Sequence, residues 1–172
     1  MFGRPPTPPP PPAGTPVQPP LHTERLVLRP FTPDDAPDVH RLVAEREIAA
    51  TTLNIPHPYL DGMAAEWISR HPGDFERGEG AVFAVTLRDG GELAGAVGFT
   101  VARVHRQAEL GYWIGRPYWG RGYATEAARA ALRWAFAALD LHRVVAHHMT
   151  RNPASGAVLR KLGMRHEGTL RQ

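Results

Sequence analysis

The 172-residue chain has no cysteine. This excludes a disulfide framework, a thiolate nucleophile and a thiolate metal site, and with them stapled secreted mini-proteins, thiol enzymes and zinc fingers. Long apolar runs are missing too. No segment approaches the roughly 18 consecutive apolar residues of a membrane helix, and the N-terminus lacks the apolar core of a secretory signal, so a cytoplasmic protein is expected. The nine histidines lack the paired helical spacing of a two-ligand site, and no metal is expected. Lysine is nearly absent, since every basic residue except Lys161 is arginine.

What is present is unevenly placed. Residues Met1 to Ala102 carry 8 basic and 13 acidic side chains, and Arg103 to Gln172 carry 12 and 4, so the net +3 separates into −5 and +8. The basic half suits an anionic partner, either a phosphorylated small molecule or nucleic acid, or is a solvated arginine-rich surface. Residues 1–20 hold 10 of the 18 prolines and read as a disordered tail, because such a segment favours solvated polyproline II. Residues 21–172 are long enough for one globular domain.

Arg25 to Arg29 alternates polar and apolar as a half-buried strand does. Thr32-Pro33-Asp34-Asp35 then supplies an N-cap, a proline at the first position and first-turn acids, which predicts a helix to about Glu47. A second helix is expected over Asp61 to Arg70, stopping before Pro72. Ala81 to Leu87, Glu92 to Val104 and Glu109 to Ile114 read as strands, the first two joined by a turn at Asp89-Gly90-Gly91. Gly122 to Leu139 is the strongest helix, with Ala128, Leu132, Ala135 and Leu139 along one stripe. Val144 to Met149 reads as a strand, Pro153 to Leu162 as a helix and Met164 to Leu170 as a last strand. This order predicts an α/β (α+β) domain with a mixed sheet, antiparallel hairpins first and crossover helices later.

The most specific segment is Trp119-Gly120-Arg121-Gly122-Tyr123-Ala124-Thr125, between the aromatic strand and the long helix. Two glycines let the backbone approach a ligand, and the amides at the helix start have no helical acceptor, which makes a cradle for an anion such as a pyrophosphate. Arg121 and Arg116 are near enough to assist. The same residues also suit a plain glycine-rich turn. A P-loop is excluded because no Gly-Lys-Ser/Thr follows, and Thr125 stands where a dinucleotide fingerprint needs its third glycine or alanine.

Ala108-Glu109-Leu110-Gly111-Tyr112-Trp113-Ile114, then Trp119 to Thr125, Arg151-Asn152-Pro153-Ala154-Ser155 and Leu162-Gly163-Met164 together resemble the GNAT acetyltransferase superfamily. Thr23 to Arg29 further resembles its RimJ/RimL-like branch of ribosomal-protein N-terminal acetyltransferases. The resemblance implies the GNAT fold, a mostly antiparallel mixed sheet flanked by helices. It also implies direct acetyl transfer from acetyl-CoA, the co-substrate, to a primary amine. By that resemblance the pantetheine arm lies along the strand holding Trp113 and Ile114, with the amide of Ile114 or a near neighbour facing the thioester oxygen. The pyrophosphate rests on Trp119, Gly120, Arg121, Gly122, Tyr123, Ala124 and Thr125.

Departures from the family pattern matter as well. Trp119 stands where the superfamily usually has glutamine or arginine, and Leu159 stands where many members have a tyrosine acid. Ser155 is then the expected partner of the sulfur, and Asn152 the contact to pantetheine or an ordered water. Equally, Asn152 and Pro153 suit a helix cap. Glu109 is the candidate base, or else an outward carboxylate paired with Arg103 or Arg106. His147 and His148 are adjacent on a strand, so only one can face the site.

The resemblance further implies a final strand inserting beside Val144 to Met149, for which no residues remain after Gln172. A truncated domain with an open sheet edge is expected, and with it a possible homodimer through that edge. The acceptor is expected to be a protein N-terminal amine, with a small-molecule amine (aminoglycoside, amino acid or polyamine) as the alternative. Two rival classes are a CoA-binding module without turnover and an RNA-contacting protein.

Overall fold

The computed structural model describes residues 17–170. Six strands, β1 (Leu21–His22), β2 (Leu26–Pro30), β3 (Gly80–Leu87), β4 (Leu93–Ala102), β5 (Gln107–Ile114) and β6 (Arg143–Val145), form one sheet in sequence order. The first five pair antiparallel, and β5 and β6 pair in parallel. A parallel pair needs a long crossover, which helix α4 (Tyr123–Ala138) supplies. Helices α1 (Ala36–Val43), α2 (Arg46–Ala49) and α3 (Met63–Glu76) join β2 to β3, and α5 (Pro153–Lys161) follows β6. This is the mixed, mostly antiparallel sheet with flanking helices that the sequence implies.

Strand alternation builds two cores on opposite sides of the sheet. Phe83 and Val85 of β3 and Ala108, Leu110 and Ile114 of β5 face α4 and α5. Ala84 and Trp113 face α1, α2 and α3. The buried face of α4 is almost entirely alanine, at 127, 128, 131 and 135. Side chains this small let the helix lie close on the sheet, with Trp134 edge-on to Phe83 at 5.1 Å. The start of α4 is thereby fixed against the end of β5.

Several expected boundaries move, each for a packing reason. The helix expected from Pro33 to Glu47 breaks at Ala44–Glu45, after a 3-10 turn at Pro33–Asp35. Val43 and Ile48 are both buried, and five residues at 100° each cannot bring them to one side of a straight helix. α3 runs through Pro72 to Glu76, because Ile68 and His71 are buried and Phe75 stacks on Trp134, which offsets the lost hydrogen bond. The strand expected over Val144 to Met149 ends at Val145, and Met164 to Leu170 forms no strand, since three-residue β6 offers only a short edge for a ladder. That last segment is tied to β6 by the Arg143–Glu167 ion pair. Gly163, at φ +82°, closes α5 instead, so that the Met164 amide reaches the Leu159 carbonyl. Within the stretch read as a tail, Gln18 is buried and donates to the Val82 carbonyl, and residues 1–16 lie outside the described region.

Charged groups brace the entry to the helical layer. Burial alone would raise the Asp35 carboxyl, but the Arg29 guanidinium and the Thr32 amide overcome this and hold it below the usual carboxylate range. His71 has no such partner, and burial pushes its ring down to about 4. A histidine lowered in this way favours the folded state above its unfolded value of about 6.5, and the benefit is lost as pH falls from there towards 4. Urea unfolding is expected to show a loss of roughly 3 kcal/mol across that window. His71→Phe should flatten the window, and a pH dependence unchanged in that variant would contradict the burial assignment.

Candidate active site

The loop from Trp119 into α4 is shaped by Gly120 and Gly122, at φ +75° and +81°. These left-handed residues turn the chain so that successive amides point outward. Among the described residues, none of the six amides from Gly120 to Thr125 meets an internal acceptor, and Gly122 caps α4 without a side-chain bond. Glu126, one residue further on, would repel an anion, but it is engaged from below. Its carboxylate accepts from the Thr23 hydroxyl at 2.6 Å and the Arg25 amide at 2.9 Å, and it pairs with the Arg25 guanidinium. Burial alone would raise the Glu126 carboxyl; these partners hold it below its usual range. Arg25 also donates to the Arg121 carbonyl at 2.9 Å and lies 4.8 Å over the Tyr123 ring, so one side chain braces the whole turn.

The edge of β5 opens beside this cradle. β6 pairs with β5 only from Gln107 to Glu109. The Gly115 amide bonds to the Ala94 carbonyl of β4, so by alternation the main chains of Leu110, Tyr112 and Ile114 face the side that β6 has left. The Ile114 carbonyl there is taken by the Trp119 indole N–H, and the Ile114 and Tyr112 amides stay available. Free amides along a strand edge, leading to free amides at a helix start, fit the amide arm and diphosphate of a coenzyme A thioester.

The two faces of β5 carry different chemistry. On the α5 side, the Tyr112 hydroxyl and the Ser155 hydroxyl are 2.8 Å apart, and Tyr112 also donates to the Ser155 carbonyl at 3.2 Å. Burial raises the Tyr112 phenol above its ordinary value, with Ser155 acting the other way. On the opposite face, Glu109 stands 3.1 Å from Nδ1 of His147. The expected partners Arg103 and Arg106 are elsewhere: Arg103 donates to the Arg77 carbonyl, and Arg106 pairs with Asp140. Next to Glu109 on that face, Gly111 has open space where a side chain would stand. Across β4 lies a cleft of about 370 Å³ bordered by Trp67, His71 and Thr100.

Other expected site residues sort clearly. Asn152 caps α5, accepting from the Ser155 amide at 3.1 Å, and its Nδ2 donates to the Thr51 carbonyl at 3.1 Å. Both polar atoms of its side chain are thus used within the protein. Trp113 is buried in the second core with its main chain towards β4. Arg116 turns to Glu47 and Glu45, at 3.2 and 3.7 Å, while the exposed Arg121 lies near the Tyr118 ring. Leu159 is a core contact, and His148 packs on Gly156. Sequence reasoning missed the Tyr112 hydroxyl, although a lone polar tip on the inward face of β5 was its available signal.

A mixed sheet whose parallel pair splays beside an amide-lined helix start defines a coenzyme-dependent acyl-transfer domain. Residues 25–165 match the acetyltransferase (GNAT) domain family, and the chain belongs to that family. It is similar to the uncharacterized N-acetyltransferase YoaA of Bacillus subtilis (strain 168), 33% identical over 153 residues, spanning 88% of this chain and 86% of the relative. It is also 33% identical over 95 residues, 54% of this chain and 49% of the relative, to the [ribosomal protein uS5]-alanine N-acetyltransferase of Escherichia coli (strain K12). A crystal structure of a GNAT-family acetyltransferase from Bacillus anthracis superposes with a TM-score of 0.76 at 27% identity, covering 87% of this chain and 85% of that one. The chain is therefore an acetyl-CoA-dependent N-acetyltransferase.

Gly122→Asp places a carboxylate among the free amides and a β-carbon at a left-handed position. Calorimetry should show acetyl-CoA affinity falling by more than about 100-fold while circular dichroism stays native; undiminished affinity would contradict the cradle.

Proposed function

We propose that the amides of Gly120 to Thr125, with Arg121, hold the diphosphate of acetyl-CoA, and that the open edge at Tyr112 and Ile114 holds its arm. The observation that carries this is the unbroken run of unpaired amides beside a strand edge without a partner. Acetyl-CoA supplies an acyl thioester, in which a C–N bond forms as the C–S bond breaks.

The chain's own groups act from the two faces of β5. Glu109, oriented by His147, accepts the proton that an incoming ammonium must lose before it can attack. The Ile114 amide is presented to the thioester oxygen, where a fixed main-chain donor costs no reorganisation. Ser155 donates to the departing sulfur when the single Tyr112 proton turns from the Ser155 carbonyl to its hydroxyl, which the 2.8 Å separation allows. Asn152 positions Ser155 by capping its helix. Base and sulfur partner sit on opposite faces, which keeps proton removal apart from leaving-group stabilisation.

A protein N-terminal amine of the RimJ/RimL kind is the acceptor favoured by the similarity to the uS5-alanine enzyme. A small-molecule amine is favoured instead by the cleft on the Glu109 face. Thiol release with panels of peptides and amines tests both, and release with neither would refute turnover.

Glu109→Gln is expected to lower kcat about 100-fold with KM for acetyl-CoA little changed. Tyr112→Phe should cost about 10-fold in kcat, and little more when combined with Ser155→Ala, because the two groups act as one unit. Additive losses in the double variant would separate Tyr112 from Ser155.

A further inference from the structure

We propose that the cleft between α3 and the β3–β4 pair is the distal half of the acceptor site. It takes the second cationic group of a short alkane diamine whose attacking amine lies at Glu109. This rests on the acetyl-transfer reading of the β5 edge.

His71 is the first reason. It lines the cleft, is 8% exposed, and both of its ring nitrogens are buried without a hydrogen-bond partner. Buried polar atoms are normally satisfied, and the Phe31 and Trp67 rings packed around His71 at 5.4 and 4.4 Å make no hydrogen bond to it. Its low basicity keeps the ring neutral near pH 7, so one nitrogen can accept from an ammonium.

Charge is the second reason. Asp74 and Glu79 border the cleft, and each gives one oxygen to Arg77, leaving the other for a ligand. Arg70 also lies at the cleft and opposes a cation, but it is exposed at the rim, and the pull of Asp74 on His71 exceeds its push. With Arg77 shared between them, the free oxygens of these two carboxylates are the groups a cation would meet at the cleft.

Register is the third. Thr100, at the cleft, pairs with Glu109 across the β4–β5 ladder, so their side chains share a face about 5 Å apart. In the next row Gly111 leaves open space beside Glu109, while the Val82 side chain covers its partner Gly98. The path spans about one and a half to two strand spacings, roughly 7–10 Å, the reach of a diamine with a chain of four or five carbons. A monoamine would leave His71 as it is.

The test follows His71 by nitrogen NMR on the full-length, histidine-labelled chain titrated with 1,5-diaminopentane and with pentylamine. A saturable shift of the His71 ring with the diamine, at an affinity at least 10-fold above the monoamine's, is expected. His71→Phe keeps the aromatic packing and should bring diamine affinity down to the monoamine's, with acetyl-CoA affinity unchanged; should that variant not fold, Asp74→Asn serves in the same comparison. Equal binding of the two amines, a preference that survives in the folded variant, or a peptide N-terminus that shifts His71 where the diamine does not would each overturn the assignment. Acetyl transfer that persists alongside equal binding defeats the cleft alone. A His71 response without transfer to any amine defeats the transfer reading and leaves the cleft standing.

Discussion

The amide hydrogens at the start of α4 are the constraint on which the other features converge. A helix leaves its first N–H groups without acceptors, and here Gly120 and Gly122 extend that set back into the loop. Free amides are useful only if they are held still. The Arg25–Glu126–Thr23 cluster braces them from β2, and the alanine face of α4 sets the helix on the sheet at close range. The acid nearest the cradle is neutralised by the same arginine that supports the turn, so one interaction both shapes the site and removes its repulsion.

β5 then divides the chemistry. Because side chains alternate across a strand, Tyr112 meets Ser155 on one face while Glu109 meets His147 on the other. The early end of β6 opens the edge between them. A longer β6 would satisfy the Tyr112 and Ile114 amides and close the slot, so on the proposed reading the short parallel ladder is what leaves room for the coenzyme.

Much of this was legible in the residues. The glycine-rich turn, the alternation in β3 to β5 and the long alanine-rich helix each follow from local rules, and four motifs in order carried the family. What was hidden depended on partners far away in sequence. The break at Ala44–Glu45 follows from Ile48 finding the second core, and α3 passes Pro72 because a packed face outweighs one lost hydrogen bond. The strand expected from Val144 to Met149 formed only to Val145, and the one expected from Met164 did not form, because pairing depends on neighbours that periodicity cannot reveal. At the site, the choice of His147 over Arg103 or Arg106 for Glu109, and the pairing of Tyr112 with Ser155, depended on how β6 and α5 dock. Asn152 showed the reverse: its local capping signature described its contacts well.

Amide hydrogen exchange with and without coenzyme A tests the central claim most directly, since it reads the proposed donors themselves. Slowed exchange confined to Gly120 to Thr125 and to Tyr112 and Ile114 is the predicted result. Binding that leaves these amides exchanging at their free rates would contradict the account.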